Sequence, residues 1–275
     1  MTERSYVKYE LMDSGVGILT LDNPPLNLTT LTTLDKLQAA CNAIASDDRV
    51  RVLVVTGAGG KAFCAGSDVS EFSSVLEDVV SRKLARENAA FTALAELPMP
   101  VIAALNGITL GGGAEIALAC DVRFMDESAR IGFPEVKLGV FPGSGGVFRL
   151  PRLLGAARAY ELLYSGDLID ALEAHRIGLI NRLTPAGEAL SHALAFAETI
   201  AQRPALALSL IRAGVRDSLT QPIKEATDRT LADSHAVFTG PDIEEGVAAF
   251  FAKRQPVFTA GRNDARKEKT EATKK

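Results

Sequence analysis

The segment NGITLGGGAEIALACD, residues 106–121, determines both the predicted fold and the predicted chemistry of this chain. It follows the apolar run VIAAL at 101–105, which predicts a buried strand that ends at the Asn106-Gly107 turn. Three consecutive glycines then lead into a helical pattern, so no side chain covers the first-turn N–H groups. Because a helix N-terminus attracts negative charge, we expect it to face an oxygen atom that gains charge.

One acidic residue, Glu115, lies about one turn into this predicted helix. The helix continues as IALAC at 116–120, which is too apolar for an exposed surface. A carboxylate in such surroundings is unfavourable unless it is paired or takes part in chemistry. From this segment alone two interpretations stay open: a catalytic acid, or a glycine-rich turn with a capping glutamate.

The composition predicts a globular protein of one large domain, or one domain with an appendage. The chain has 275 residues, 47% of them hydrophobic, with a net charge of -4 and a mean hydropathy of +0.12. No apolar run reaches the roughly 20 residues that span a bilayer, and residues 1–10 lack an apolar signal core. We therefore expect no membrane segment and no secretion signal, and the acidic balance argues against general nucleic-acid binding.

The cysteines and histidines lie far apart in the sequence and match no metal-ligand spacing. We expect no metal site. The cysteines are typical of reduced, buried thiols in a cytoplasmic protein, and the histidines of helix-surface or core positions. These residues are Cys41, Cys64, Cys120, His175, His192 and His235.

Strand and helix patterns alternate along the first half of the chain, which favours crossover connections and a largely parallel core. The C-terminal third is predominantly helical. The predicted elements are a hairpin at 6–21, a helix capped by Thr29 or Thr30 at 30–46, strands at 50–56, 101–105, 122–125 and 180–183, and helices at 72–96, 147–154, 156–165, 171–177, 190–202, 205–215, 221–238 and 243–253.

A second small-residue helix entrance occurs at Gly66-Ser67-Asp68, where Ser67 offers another backbone N–H; a simple helix cap formed by Ser67 or Asp68 is the alternative. A second carboxylate, Glu135, follows Pro134, which excludes a regular helix interior at this point. Two N–H donors stabilise a thioester oxygen that becomes an enolate, and two carboxylates move the protons. This combination therefore predicts enolate chemistry.

Three blocks of the sequence resemble the crotonase family, the enoyl-CoA hydratases and isomerases, in a likeness that runs from about residue 16 to 258. They are AFCAGSD at 62–68, IAALNGITLGGGAEIALACDV at 102–122 and GFPEVKLGVFPGSGG at 132–146. The resemblance implies an α/β fold, a spiral of ββα repeats over residues 1–195. It also implies a helical region at 196–258 that builds homotrimers, often paired into hexamers. Residues 259–275 are charged and are predicted to be a disordered tail.

The resemblance also implies the roles of individual residues. The backbone N–H groups of Ser67 and Gly112 would form the oxyanion hole, Glu115 would hold and activate water, and Glu135 would exchange the proton beside the thioester. The implied substrate is a 2-enoyl-CoA thioester, so coenzyme A is part of the substrate and no separate cofactor is expected. Further substrate contacts are assigned to Ala65, Asp68, Gly111, Phe133, Gly143, Phe250 and Lys253.

Some positions depart from the usual family pattern. Ser70 stands where many relatives carry a lysine that contacts the CoA phosphates. Phe133 replaces a frequent glutamine, which makes the wall beside Glu135 more apolar and is expected to raise its proton affinity. Ser67 replaces a common alanine, a change without consequence if only its N–H is used. The segment 71–85 is expected to set acyl-chain length, but its sequence reveals no pocket shape.

Several other functions remain as alternatives. A carnitinyl-CoA-type dehydratase shares the two-glutamate pattern, and a 3-enoyl-CoA isomerase would depend less on Glu115. Dienoyl isomerases would need a further acid where this chain has Gly143 and Ser144. Non-catalytic binding of a CoA thioester or of RNA is the different class, although the predicted helix at 30–46 carries only one lysine, Lys36.

Overall fold

The computed structural model describes residues 5–263 and has the predicted α/β architecture. The strands are β1 (Val7–Leu11), β2 (Val16–Leu21), β3 (Val52–Gly57), β4 (Ala62–Cys64), β5 (Val101–Leu105), β6 (Ile108–Leu110), β7 (Val122–Asp126), β8 (Arg130–Gly132), β9 (Leu168–Asp170) and β10 (Arg182–Thr184). The α-helices are α1 (Leu31–Ser46), α2 (Phe72–Val75), α3 (Ala85–Ala95), α4 (Gly112–Ala119), α5 (Gly146–Leu154), α6 (Ala156–Ser165), α7 (Ala171–Arg176), α8 (Ala189–Ala201), α9 (Ala205–Ser218), α10 (Ile223–Phe238) and α11 (Asp242–Ala252).

The strands form two sheets. The large sheet has the order β1-β2-β3-β5-β7-β10, and all its neighbours are parallel except the β1–β2 hairpin. The small sheet has the order β4-β6-β8-β9, with only β9 antiparallel. In the pairs β3/β4, β5/β6 and β7/β8, the first strand lies in the large sheet and the second lies in the small sheet. Helical structure follows every pair, which confirms the spiral of ββα repeats.

The opening segment lies at the centre of this spiral. The strand β5 is fully buried, and Asn106 closes the turn after it, because its Nδ2 donates to the carbonyl oxygens of Gly57 at 2.8 Å and Gly59 at 2.6 Å. Ala114 and Ile116 of α4 are inaccessible to solvent. The predicted buried strand, turn and buried helix are therefore all confirmed.

The predicted helix at 72–96 is broken into several short elements. After the 3-10 turn Val69–Glu71, the chain forms α2, a 3-10 turn at Leu76–Asp78 and a π-helical turn at Val80–Leu84 before α3 begins. Leu76 and Val80 are exposed, so they contribute little of the packing that would stabilise one regular helix. The predicted strand at 180–183 is β10, which begins two residues later.

The C-terminal helices differ in how they are buried. Helix α8 packs on the large sheet through Ala193 and Ala197, so it spans the predicted boundary at residue 195 and belongs to the core. An ion pair of 2.7 Å joins Arg212 of helix α9 to Asp121, the last residue of the segment 106–121. Helix α10 has no buried residue in the single chain.

The predicted disordered tail at 259–275 lies mainly outside the described residues. Its beginning is ordered, because Arg262 is buried and donates to the carbonyl oxygens of Val50 at 2.6 Å and Asp47 at 2.9 Å. Among residues 5–263, no helix combines the length and the apolar character needed to cross a membrane.

Candidate active site

The two predicted backbone donors lie on adjoining segments. The N–H of Thr29 donates to Gly66 O at 2.9 Å, and the N–H of Asp68 donates to Thr29 O at 3.1 Å. This strand-like pairing leaves the intervening N–H of Ser67 pointing away from Thr29. Gly112 begins α4, and its nitrogen would lie 3.6 Å from a Cβ atom placed on Gly66. Within residues 5–263, neither the Ser67 nor the Gly112 N–H has a hydrogen-bond acceptor.

The three glycines of the opening segment serve different purposes. Gly111 has φ 51° and ψ -123°, a conformation that requires glycine, and a Cβ atom there would lie 3.1 Å from Glu135 Oε1. Gly113 is required by packing, because a Cβ atom would lie 2.0 Å from Cys64 O. Only Gly112 has room for a side chain, since its nearest neighbour would be Thr29 Oγ1 at 3.6 Å.

Glu115 is buried, with 3% of its surface exposed. Its Oε1 accepts hydrogen bonds of 2.8 Å from the N–H groups of Ser144 and Gly146, which follow the flexible Pro142-Gly143 step. Burial raises the pKa of Glu115 to about 8, and the nearby Glu135 contributes in the same direction, whereas the two N–H donors act against it. The interpretation of Glu115 as a mere helix cap is wrong, since its carboxylate binds a distant loop.

Glu135 lies on the short 3-10 helix Pro134–Leu138, so it is outside a regular helix interior, as the preceding proline predicted. Its Oε1 approaches Gly111, and its buried Oε2 has no hydrogen-bond partner among the described residues. Burial raises the pKa of Glu135 to about 7, which is the direction expected from the fully buried Phe133 beside it in the chain. The two glutamates and the two N–H donors thus meet in one place.

The remaining predicted substrate contacts are not all part of this cluster. The N–H of Ala65 donates to Leu26 O at 3.0 Å, and Asp68 caps the following 3-10 turn by accepting from Ser70 N at 3.0 Å and Ser70 Oγ at 2.7 Å. These bonds lower the pKa of Asp68, so the capping alternative describes this side chain. Phe250 and Lys253 are exposed at the end of α11, and no hydrogen bond or ion pair between described residues joins them to the cluster.

Sequence reasoning missed a third carboxylate, Glu87, and its neighbour Lys83. Glu87 is 4% exposed and accepts hydrogen bonds from the hydroxyls of Ser67 at 2.6 Å and Ser144 at 2.8 Å. A sequence signal existed, because Lys83 and Glu87 share one helical face with the buried Phe91 and Leu94. Charged residues within an apolar stripe are unusual unless they are paired or functional.

The scattered cysteines are buried free thiols as predicted, and burial raises the pKa of each to about 12. The histidines are exposed on helices α7, α8 and α10. Among residues 5–263, neither set forms a hydrogen bond or ion pair with the clustered glutamates, although Glu87 lies near enough to Cys64 to raise the pKa of its thiol further.

This site can stabilise a developing oxyanion with two backbone donors while a pair of carboxyl groups with raised pKa values exchanges protons with a substrate. Glu115 Oε2 has no hydrogen bond to any residue in the described part of the chain, so it is available for water. The geometry is suited to moving protons at a bound molecule whose oxygen atom gains negative charge.

Comparisons with known proteins agree with this chemistry. The family model described as enoyl-CoA hydratase/isomerase matches residues 12–261. The chain is 37% identical over 248 residues to a probable enoyl-CoA hydratase of Mycobacterium bovis, covering 90% of this chain and 95% of that protein. It is 36% identical over 248 residues to the crotonyl-CoA hydratase of Syntrophomonas wolfei, covering 90% of this chain and 95% of that protein. The crystal structure of an enoyl-CoA hydratase from Bacillus anthracis superposes with a TM-score of 0.89 at 35% identity, covering 92% of this chain and 98% of that chain.

Proposed function

Because the chain belongs to the enoyl-CoA hydratase/isomerase family, we propose that it is a hydro-lyase that reversibly adds water to the double bond of a 2-enoyl-CoA thioester. The observation that carries this proposal is the meeting of Glu115 and Glu135 with the N–H groups of Ser67 and Gly112, which have no acceptor within residues 5–263. Coenzyme A enters as part of the substrate, and the proposed reaction needs no further cofactor.

In the proposed mechanism, the thioester oxygen accepts hydrogen bonds from the N–H groups of Ser67 and Gly112. Glu115 takes a proton from a bound water as the water oxygen forms a bond to the β-carbon. The electron pair of the double bond moves to the α-carbon and the thioester oxygen, where the two donors stabilise it. Glu135 then delivers a proton to the α-carbon, which completes the 3-hydroxyacyl product.

Hydrogen bonding distinguishes the two carboxyl groups, although burial leaves the pKa of Glu115, at about 8, above that of Glu135, at about 7. The two N–H groups that donate to Glu115 Oε1 favour its carboxylate form, which a base requires. Glu135 Oε2 is buried and has no hydrogen-bond partner in the described part of the chain, an environment that favours the protonated form and leaves a proton to donate. Because burial raises both pKa values toward neutrality, one carboxyl can hold a proton while the other is ionised.

The pair of carboxyl groups favours hydration over isomerisation. An isomerase that moves a double bond needs one group to shuttle a proton, whereas hydration needs a second group to activate water. Glu115 Oε2 and its buried position supply that second group. The relative from Syntrophomonas wolfei is a crotonyl-CoA hydratase, which makes crotonyl-CoA the first substrate to test.

We further propose that the chain assembles as a homotrimer or a dimer of trimers. Helices α9 to α11 leave large apolar side chains exposed in the single chain, and a second copy would cover them. Phe250 and Lys253 belong to this surface and are proposed to meet the adenine end of CoA across the subunit boundary. The exposed side chains of these helices include Ile223, Leu231, Phe238, Phe250 and Phe251.

The free buried thiols fit a reducing compartment such as the cytoplasm.

The experiment that tests the proposed function is the hydration of enoyl-CoAs by the purified chain, followed by the loss of the conjugated thioester absorbance. Crotonyl-CoA and longer 2-enoyl-CoAs are used, with heat-denatured protein as the control. We expect turnover of at least one chain length. Absence of turnover with every chain length would refute the proposal, and a 3-enoyl-CoA activity that survives Glu115→Gln would assign the chain to the isomerases instead.

A further inference from the structure

Glu87 connects the two halves of the candidate site. It lies in the first turn of α3, and its two oxygens accept hydrogen bonds from different segments of the chain. Oε1 accepts from the hydroxyl of Ser67 at 2.6 Å, and Oε2 accepts from the hydroxyl of Ser144 at 2.8 Å. Short hydrogen bonds to a carboxylate are among the stronger ones in proteins. One buried side chain therefore bridges the donor segment at Ser67 and the loop at Ser144.

The loop held by Glu87 is the one that holds Glu115. The N–H of Ser144 donates to Glu115 Oε1 at 2.8 Å, so the contacts run from Ser67 through Glu87 and Ser144 to Glu115. The next residue of α3 strengthens this attachment, because Asn88 Nδ2 donates to Gly143 O at 3.2 Å. Helix α3 thus sets where the loop lies relative to the oxyanion-hole segment.

The charge of Glu87 is balanced from the same helical face. Lys83 Nζ lies 3.5 Å from Glu87 Oε1 and 3.7 Å from Glu71 Oε2, and its side chain is 2% exposed. Glu71 in turn accepts a hydrogen bond of 3.1 Å from the N–H of Leu31 at the start of α1. A buried lysine without a hydrogen-bond partner among the described residues is unfavourable unless nearby carboxylates compensate it. The cluster keeps Glu87 fixed in an otherwise apolar interior.

Resting on the proposed hydratase function, we propose that Glu87 is a positioning residue, which fixes the separation between the oxyanion hole and the water-holding Glu115 by bridging Ser67 and Ser144. A second effect follows from its charge. The negative charge of Glu87 raises the pKa values of both Glu115 and Glu135. The ionisable groups that face Glu87 are Lys83, Glu115, Glu135 and the Cys64 thiol, and Glu71 lies beside Lys83.

Three variants separate the geometric effect from the electrostatic one. Glu87→Gln keeps the shape of the side chain and removes its charge. Ser144→Ala removes one of the two hydroxyl contacts and leaves every charge in place. Glu198→Gln makes the same chemical change at an exposed position of α8 and is the matched control. For each variant and the wild type, kcat and KM are measured with crotonyl-CoA between pH 5 and 9.

We expect Glu87→Gln to lower kcat by about 10- to 100-fold, because an amide has one acceptor oxygen where the carboxylate has two, so either the Ser67 or the Ser144 hydroxyl loses its acceptor and the bridge weakens. KM should stay within about twofold, since no substrate contact is removed. Both limbs of the pH profile should move to lower pH, because a like charge next to the two carboxyl groups is gone. Ser144→Ala should lower kcat by about 3- to 10-fold without moving the profile. Glu198→Gln should match the wild type.

Unchanged kcat and an unmoved pH profile in both Glu87→Gln and Ser144→Ala would overturn the proposal. A wild-type protein that hydrates no enoyl-CoA would instead refute the function on which the proposal rests, so the two failures are distinct. If circular dichroism shows that Glu87→Gln does not fold, the double variant Ser67→Ala/Ser144→Ala decides. A kcat within about twofold of the wild type would then overturn the positioning role, and a larger loss at constant KM would support it.

Discussion

Replacing Gly113 with alanine should destabilise the fold strongly, whereas the same replacement at Gly112 should not. A Cβ atom at Gly113 would lie 2.0 Å from Cys64 O and 2.7 Å from the carbonyl carbon of the same residue. Cβ atoms essentially never approach another heavy atom closer than 3.0 Å, so α4 would have to move away from β4 by about 1 Å. Both contacting groups belong to buried backbone, which has no rotamer to change.

The expected cost is at the upper end for an overpacked core, about 3 kcal/mol. For a domain of this size such a loss lowers Tm by about 6 to 12 °C. Gly112→Ala is the matched control, because its Cβ atom would first meet Thr29 Oγ1 at an ordinary distance of 3.6 Å. We expect its Tm to stay within about 2 °C of the wild type.

The assay is thermal unfolding of the wild type and the two variants by differential scanning calorimetry at one pH and one protein concentration. A wild-type Tm for Gly113→Ala would refute the close packing of α4 on Cys64. Such a result would also refute the position of the α4 N-terminus, on which the location of the Gly112 donor depends. A large fall of Tm in Gly112→Ala would contradict the prediction that a Cβ atom fits at position 112.

Further predictions concern the carboxyl pair, an anchoring ion pair and the assembly. Glu115→Gln should lower the kcat of hydration by about 10²- to 10⁴-fold, measured with crotonyl-CoA. Because the folded pKa of Glu115 is raised from 4.5 to about 8, the wild type loses stability as pH rises through this window, and Glu115→Gln should therefore raise Tm more at pH 9 than at pH 5. Arg212→Met should lower the free energy of unfolding by about 2 kcal/mol, measured by denaturant unfolding, because Asp121 loses its ion pair and Leu97 O loses its hydrogen-bond donor. Solvent around the partly exposed Asp121 keeps the loss below that of a fully buried ion pair. In sedimentation velocity the wild type should run as a trimer or hexamer and Leu231→Glu as smaller species, and a monomeric wild type would contradict the proposed assembly.

The sequence predicted the site best where a pattern has one structural meaning. An apolar run ended by Asn106-Gly107 is a buried strand in almost any fold, and Glu115 lies in a helix too apolar to be exposed. The proline before Glu135 likewise excluded a regular helix, and the chain forms a 3-10 turn there. These features depend on local sequence, so they could be read from it.

Features that depend on contacts between distant segments could not be read in this way. The strands of the small sheet are three residues long, too short for periodicity to reveal. The requirement for glycine at Gly113 arises from Cys64, which lies 49 residues earlier in the chain. The apolar helical face shared with Phe91 and Leu94 indicates that Glu87 is buried, but no local pattern shows that the distant hydroxyls of Ser67 and Ser144 donate to it.

The proposed hydration can be tested by one product analysis. The purified chain is incubated with crotonyl-CoA in D₂O, and the product is examined by NMR and mass spectrometry. We expect 3-hydroxybutyryl-CoA that carries one deuterium on the carbon next to the thioester, delivered by Glu135, and a solvent-derived hydroxyl on the neighbouring carbon. Recovery of unchanged crotonyl-CoA, or deuterium at the terminal carbon without any hydroxyl product, would contradict the hydratase mechanism.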